Sequence, residues 1–88
     1  MTAALAEPIT IAKFFRNRKR SEHVRIDLQK FEGVEIVNIR VWETGVDGID
    51  RPSRRGIALS IKKLPELTQG LLRAEDKAKE LGLIDGGE

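Results

Sequence analysis

Arg40 and Trp42 stand two residues apart in the stretch "RVW", and the chain then runs through Asp47-Gly48 to Arg51, Arg54 and Arg55. Flat rings and guanidinium groups at strand spacing are what a single-stranded polynucleotide requires, namely planes for unstacked bases and cations that follow the phosphates. Phe31 offers a second plane and Arg25 a further cation, while Arg18, Lys19 and Arg20 could extend the basic track. Each residue also has a plainer reading. Trp42 could anchor a core or a dimer interface, Phe31 could plug the space beneath a turn, and Arg40 could pair with Glu43.

The charge pattern favours a polyanion, although 16 basic and 14 acidic residues leave a net charge of only +2. Arg16, Arg18, Lys19 and Arg20 form one acid-free cluster, and no acid interrupts residues 51–63. Local patches of this kind, more than net charge, mark a nucleic-acid footprint. Solvated loops and strand edges would give the same pattern.

Catalysis finds little support. His23 is the chain's one histidine and there is no cysteine, so neither a thiolate metal site nor a Cys–His pair can form. The acids are scattered, and no phosphate-binding glycine loop is present. We expect a protein that is not an enzyme and needs no metal and no cofactor. His23 reads as a surface strand residue.

The elements that position these residues follow from periodicity. Val24, Ile26 and Leu28 alternate with His23, Arg25 and Asp27, which predicts a half-buried strand, and Phe31-Glu32-Gly33 reads as a turn. Val34 to Trp42 is rich in β-branched residues and forms the clearest strand. Its parity puts Val37, Ile39 and Val41 on the core side and Asn38, Arg40 and Trp42 opposite, the last two about 7 Å apart. Asp47-Gly48 signals a hairpin whose turn type is open, and a return strand from Arg51 to Leu59 would bring Ile57 and Leu59 to the core side.

Beyond Ser60 the period changes to three and four. Leu64, Leu67, Leu71, Ala74, Ala78 and Leu81 form one apolar stripe on a long helix ending near Gly82. Gly70 inside that helix is costly unless another element approaches closely. Leu64, Leu67, Gly70, Leu71, Ala74 and Ala78 are therefore expected at a homodimer interface. The stretch from Ile9 to Arg20 admits more than one reading: Ile9, Ile11, Phe14 and Phe15 could supply a short strand or pack as an arm, and the basic residues after them could form another strand leading into His23.

Eighty-eight residues suffice for one small domain with a modest core. The expected organisation is a flexible or partly ordered arm over 1–15, one domain over 16–83 and a disordered tail over 84–88. No apolar run is long enough to cross a bilayer and the N-terminus lacks the pattern of a signal peptide, so no membrane partner is expected. A cytoplasmic, nucleoid-associated location follows as an expectation.

The stretch from Val24 to Leu72, with "IDLQKFEGVEIVNIRVW", "DGIDRPSRRGIAL" and the leucine-rich helix, resembles the bacterial form of the transcriptional coactivator family known as positive cofactor four. The resemblance implies an α+β fold, a four-stranded curved antiparallel sheet followed by one long C-terminal helix. It also implies a symmetric dimer that binds single-stranded DNA, or locally melted duplex, with little sequence preference, and contact with the transcription machinery. Phe31 matches the family's stacking aromatic, Arg40 its strand arginine, and Arg51 and Arg55 its basic positions before Gly56. Glu32 and Val34 stand where the family usually has lysines, and its best-known tryptophan falls at Glu43, one residue beyond Trp42. RNA binding, or an assembly domain acting through the helix, are the alternatives.

Overall fold

The computed structural model describes residues 7–84. Four strands, β1 (Ile9–Phe15), β2 (Glu22–Phe31), β3 (Val34–Thr44) and β4 (Asp50–Ser60), pair antiparallel in the order β1-β2-β3-β4. A 3-10 turn at Ile61–Lys63 leads into one helix, α1 (Leu64–Glu80). This is the expected α+β architecture. Of the readings open for the stretch from Ile9 to Arg20, a strand over Ile9–Phe15 is realised, so the sheet begins ahead of residue 16, while Arg16 to Arg20 form the loop to β2 and not a further strand. Residues 1–6 of the expected arm and 85–88 of the expected tail lie outside the described residues.

The β2–β3 hairpin organises the sheet. Glu32 (φ 50°) and Gly33 (φ 81°) both occupy the left-handed region, as a two-residue type I′ turn requires, and the twist of that turn matches the strands it joins. Ten consecutive rungs follow, from Phe31↔Val34 to Glu22↔Glu43. Directly paired residues share a face, so His23, Arg25, Asp27, Gln29 and Phe31 lie beside Trp42, Arg40, Asn38, Ile36 and Val34. The opposite face carries Val24, Ile26, Leu28, Val37, Ile39 and Val41, as the alternation predicts.

Two irregularities shape the flanks. The β1–β2 register shifts between Thr10 and Ala12, which returns Lys13 and Phe15 to the polar face opposite Arg25 and His23. In β4, the partners of Arg40 and Trp42 are Gly56 and Pro52, so β4 spends extra residues on this span. Ser53 stitches the bulge, its hydroxyl donating to Val41 O and accepting from Arg55 N. Pro52, with no N–H to offer, suits such a break.

Ser60 caps the 3-10 turn by accepting from Lys62 N, and Pro65 sits in the first turn of α1, where a missing donor matters little. The helix ends in a Schellman arrangement, with Gly82 at φ 75° and Leu83 N donating to Ala78 O. No residue of α1 is buried. Its apolar stripe stays open, with Leu71 58% exposed, and among the described residues nothing comes within 4 Å of where a Gly70 Cβ would stand. Val37 is the one apolar side chain fully buried among the described residues. The chain exposes 7189 Å², where a compact monomer of this mass would expose about 5200 Å².

Gly56 is the tightest point of the sheet. A Cβ there would collide with Ile39 O and lie 2.7 Å from Arg40 Cα, at φ 156°. Gly56→Ala should therefore destabilise the fold by about 1–3 kcal/mol, read as a lowered midpoint in thermal circular dichroism.

Candidate nucleic-acid interface

The polar face is built outward from Trp42. Its cross-strand partner His23 stacks on it at 6.2 Å between centroids with an interplanar angle of 16°. The Arg25 guanidinium lies over the Trp42 ring at 3.7 Å, within the range of a favourable cation–π contact. Phe15 meets His23 edge-on at 6.5 Å, and Arg20 in turn lies over Phe15 at 5.4 Å. His23 is thus 1% exposed, which corrects its reading as a surface strand residue. Outward parity did not expose it, because large neighbours on three sides close over a small ring.

Burial, with the Arg25 charge next in weight, holds the His23 imidazole below its ordinary pKa; Lys13 acts in the same direction and Asp50 opposes it. Arg25 Nη2 lies 3.2 Å from His23 Nε2 and 3.8 Å from Asp50 Oδ2. Asp50 is kept ionised first by a 2.6 Å bond from the Thr44 hydroxyl. Arg40 is held too, its Nη1 donating to Ser53 O at 3.0 Å and its Nη2 to Asn38 Oδ1 at 3.3 Å. A guanidinium has five N–H donors, so both arginines are fixed in place with donors to spare.

Between these groups and the β2–β3 turn lies a cleft of about 360 Å³, bordered by Phe31, Gln29, Asp27, Asn38, Arg40 and Trp42. Phe31, at the rim, is 57% exposed. Trp42 forms a wall, and one of its faces is occupied by Arg25. The structure therefore brings Arg25, Phe31, Arg40 and Trp42 together.

It places the other expected basic residues apart from the cleft, Arg20 alone among them reaching the polar face over Phe15. Arg18, Lys19 and Arg20 sit at the β1–β2 loop, whose reversal is held by Asn17 Oδ1 accepting from Ser21 N and Glu22 N. Arg51 pairs with Glu43 in the ladder, on the apolar face, and its guanidinium binds Asp47 at 2.8 Å. Arg55 reaches Glu22 at 2.7 Å and Glu43 at 3.1 Å, both on that same side. The bond from Arg55, followed by one from Arg16 to the other carboxylate oxygen, holds the Glu22 carboxyl below its usual range. Arg54 lies exposed in the β4 bulge. Lys13 and Phe15, which sequence parity did not single out, do join the polar face, because the β1 bulge conceals their alternation.

Residues 18–70 match the family Transcriptional Coactivator p15 (PC4). Among solved structures, a PC4 homologue from Burkholderia pseudomallei is 29% identical, with a TM-score of 0.69 over 83% of this chain and 96% of that one. A second crystal form of it gives 0.68 over 78% and 98%. The bacteriophage T5 homologue of the eukaryotic transcription coactivator PC4, implicated in recombination-dependent DNA replication, is 21% identical, with a TM-score of 0.56 over 88% of this chain and 82% of that one. No curated protein sequence matches.

His23 gives the fold a pH signature. The unfolded chain takes up a proton near pH 6.5, the folded chain only at lower pH, so the stabilisation is complete above 6.5 and is lost as pH falls through the folded value. Thermal midpoints should drop between pH 7 and pH 5. His23→Gln should be less stable at pH 7 but show a flatter profile across that window, where no other histidine titrates.

Proposed function

Because the chain belongs to the transcriptional coactivator p15 (PC4) family, a family of DNA-binding coactivators, we propose that it binds single-stranded DNA without catalysis and acts in transcription or another process that exposes single strands. One observation carries this reading. The exposed ring of Phe31 and the anchored guanidinium of Arg40 border one open cleft, on a sheet face that also carries the Arg25 guanidinium over Trp42.

The parts take different roles. Phe31 is free to stack on a base, a contact worth about 1–3 kcal/mol and tolerant of sequence. Arg25, Arg40 and Lys13 supply phosphate contacts along the face, and Arg18, Lys19 and Arg20 prolong them at the β1–β2 loop. Trp42 serves as the platform that sets Arg25, its own ring face being taken. Arg51 and Arg55 are neutralised by acids on the other side, so they contribute little to this track.

A second copy of the chain completes the reading. One fully buried apolar side chain is too small a core, and α1 presents Leu71 and its stripe to solvent with Gly70 unapproached. A homodimer through Leu64, Leu67, Gly70, Leu71, Ala74 and Ala78 would cover that surface and place two binding faces in one particle. A cytoplasmic, nucleoid-associated location belongs to the same proposal.

Titrating a labelled single-stranded oligonucleotide tests the face. Phe31→Ala should weaken binding about tenfold, and Arg40→Ala should also flatten the dependence of log affinity on log salt by about 0.7. Arg55→Ala should bind as wild type. Unchanged affinity for a folded Phe31→Ala protein would remove this face as the site. Sedimentation should show a dimer that Leu71→Glu converts to monomer.

A further inference from the structure

We infer that His23 is a proton-operated latch on the binding face: neutral, it holds the Arg25 guanidinium across Trp42, and protonated, it expels that guanidinium and opens the ring to a base of the strand. This rests on the single-strand reading above and adds a second, pH-controlled stacking plane to it.

Three contacts build the latch. Arg25 lies over the Trp42 ring at 3.7 Å, its Nη2 is 3.2 Å from His23 Nε2, and the same nitrogen is 3.8 Å from Asp50 Oδ2. A guanidinium has donors only, so Nε2 accepts and the neutral imidazole carries its proton on Nδ1. Protonation would remove that acceptor. It would set N–H against N–H and cation against cation at hydrogen-bond distance, in a site where His23 is 1% exposed.

The surroundings offer little to absorb the added charge. Arg25 has Lys13 on β1 and Arg40 on β3 as rung partners, and like charges set directly opposite on a sheet repel. Arg20 lies over Phe15, the ring that meets His23 edge-on. Asp50, at the start of β4, is the acid that acts on His23, and it is shared with Lys13 at 3.9 Å. Arg25 Nε is moreover buried without a hydrogen-bond partner, an unmet donor that weakens the closed arrangement. Arg25 is therefore the part that gives way, because its Nε regains water outside, whereas the His23 ring is packed against Phe15 and Trp42.

Burial and the Arg25 charge keep His23 neutral at pH 7, so the latch is closed there and opens as pH falls below 6.5 through the folded value. A bound strand acts in the same direction. Its phosphates draw the guanidinium off the ring, and with that cation gone His23 takes up its proton more readily, so strand and proton favour each other.

The test follows the fluorescence of Trp42, the chain's one tryptophan, with circular dichroism reporting the fold at pH 7.5 and pH 5.5. Without DNA, acrylamide should quench Trp42 more strongly at pH 5.5. A thymine oligonucleotide, whose bases take up no proton in this range, should bind about tenfold more tightly at pH 5.5, the size of one base–aromatic stack, and should quench Trp42 only there. His23→Gln keeps an acceptor for Arg25 but cannot be protonated, so it should respond identically at the two pH values. Wild type that shows the same acrylamide quenching or the same strand affinity at both, or that unfolds by pH 5.5, would overturn the inference while strand binding at pH 7.5 survives. A pH response that His23→Gln retains would assign it to another group and also overturn the inference. No affinity at either pH would overturn the binding reading itself, and acrylamide quenching without DNA would still tell whether the latch opens. If His23→Gln does not fold, Arg25→Ala decides: its Trp42 should already be open at pH 7.5, and quenching that still rises with acid would overturn the latch.

Discussion

The register between β2 and β3 is the constraint on which everything else depends. Side chains alternate with a period of two, so a slip of one residue would send Arg25, Asp27 and Phe31 to the apolar side and bring Val24, Ile26 and Leu28 to the polar one. The two-residue turn at Glu32-Gly33 forbids that slip, since its length and left-handed backbone admit a single pairing of Phe31 with Val34. Glutamate accepts that conformation less readily than glycine or asparagine, and the ten rungs that follow supply the compensation.

With the register fixed, the polar face becomes rigid for reasons of packing. Arginines on a strand surface ordinarily sample many rotamers, and ordering them opposes binding. Here Arg25 is laid flat on Trp42 and Arg40 is tied to Ser53 O and Asn38 Oδ1. His23 and Phe15 buttress the tryptophan from behind. That ordering cost is met on folding, which is the sense in which a preorganised surface binds more tightly than a mobile one. Phe31 is the exception, exposed at the hairpin end and held by no such contact.

Much of this was legible in the sequence because it rests on local pattern. The alternation of Val34 to Trp42 gave the correct faces, the spacing of Leu64, Leu67 and Leu71 gave the helix, and Phe31-Glu32-Gly33 gave the turn. What escaped depended on pairings between distant residues. The bulge between Thr10 and Ala12 hides the parity that brings Lys13 and Phe15 to the site. The extra residues of β4 free Arg55 to reach Glu22, 33 positions away, so a basic cluster that looks continuous along the chain divides between two faces. Burial of His23 was equally out of reach, since it arises from which rings happen to be its rung partners.

The protomer is unbalanced in an instructive way. Its most deeply buried residues include His23, Asp27 and Asn38, all on the polar face, whereas the apolar face and helix between them bury Val37 alone. In a self-sufficient domain the order would be reversed, because apolar burial is the main source of stability. The polar face is therefore held within one chain by stacking, cation–π contact and hydrogen bonds, while the apolar stripe of the helix stays exposed. Such a division lets the polar face keep its geometry independently of the helix, and it leaves apolar burial a small part of what stabilises the single chain.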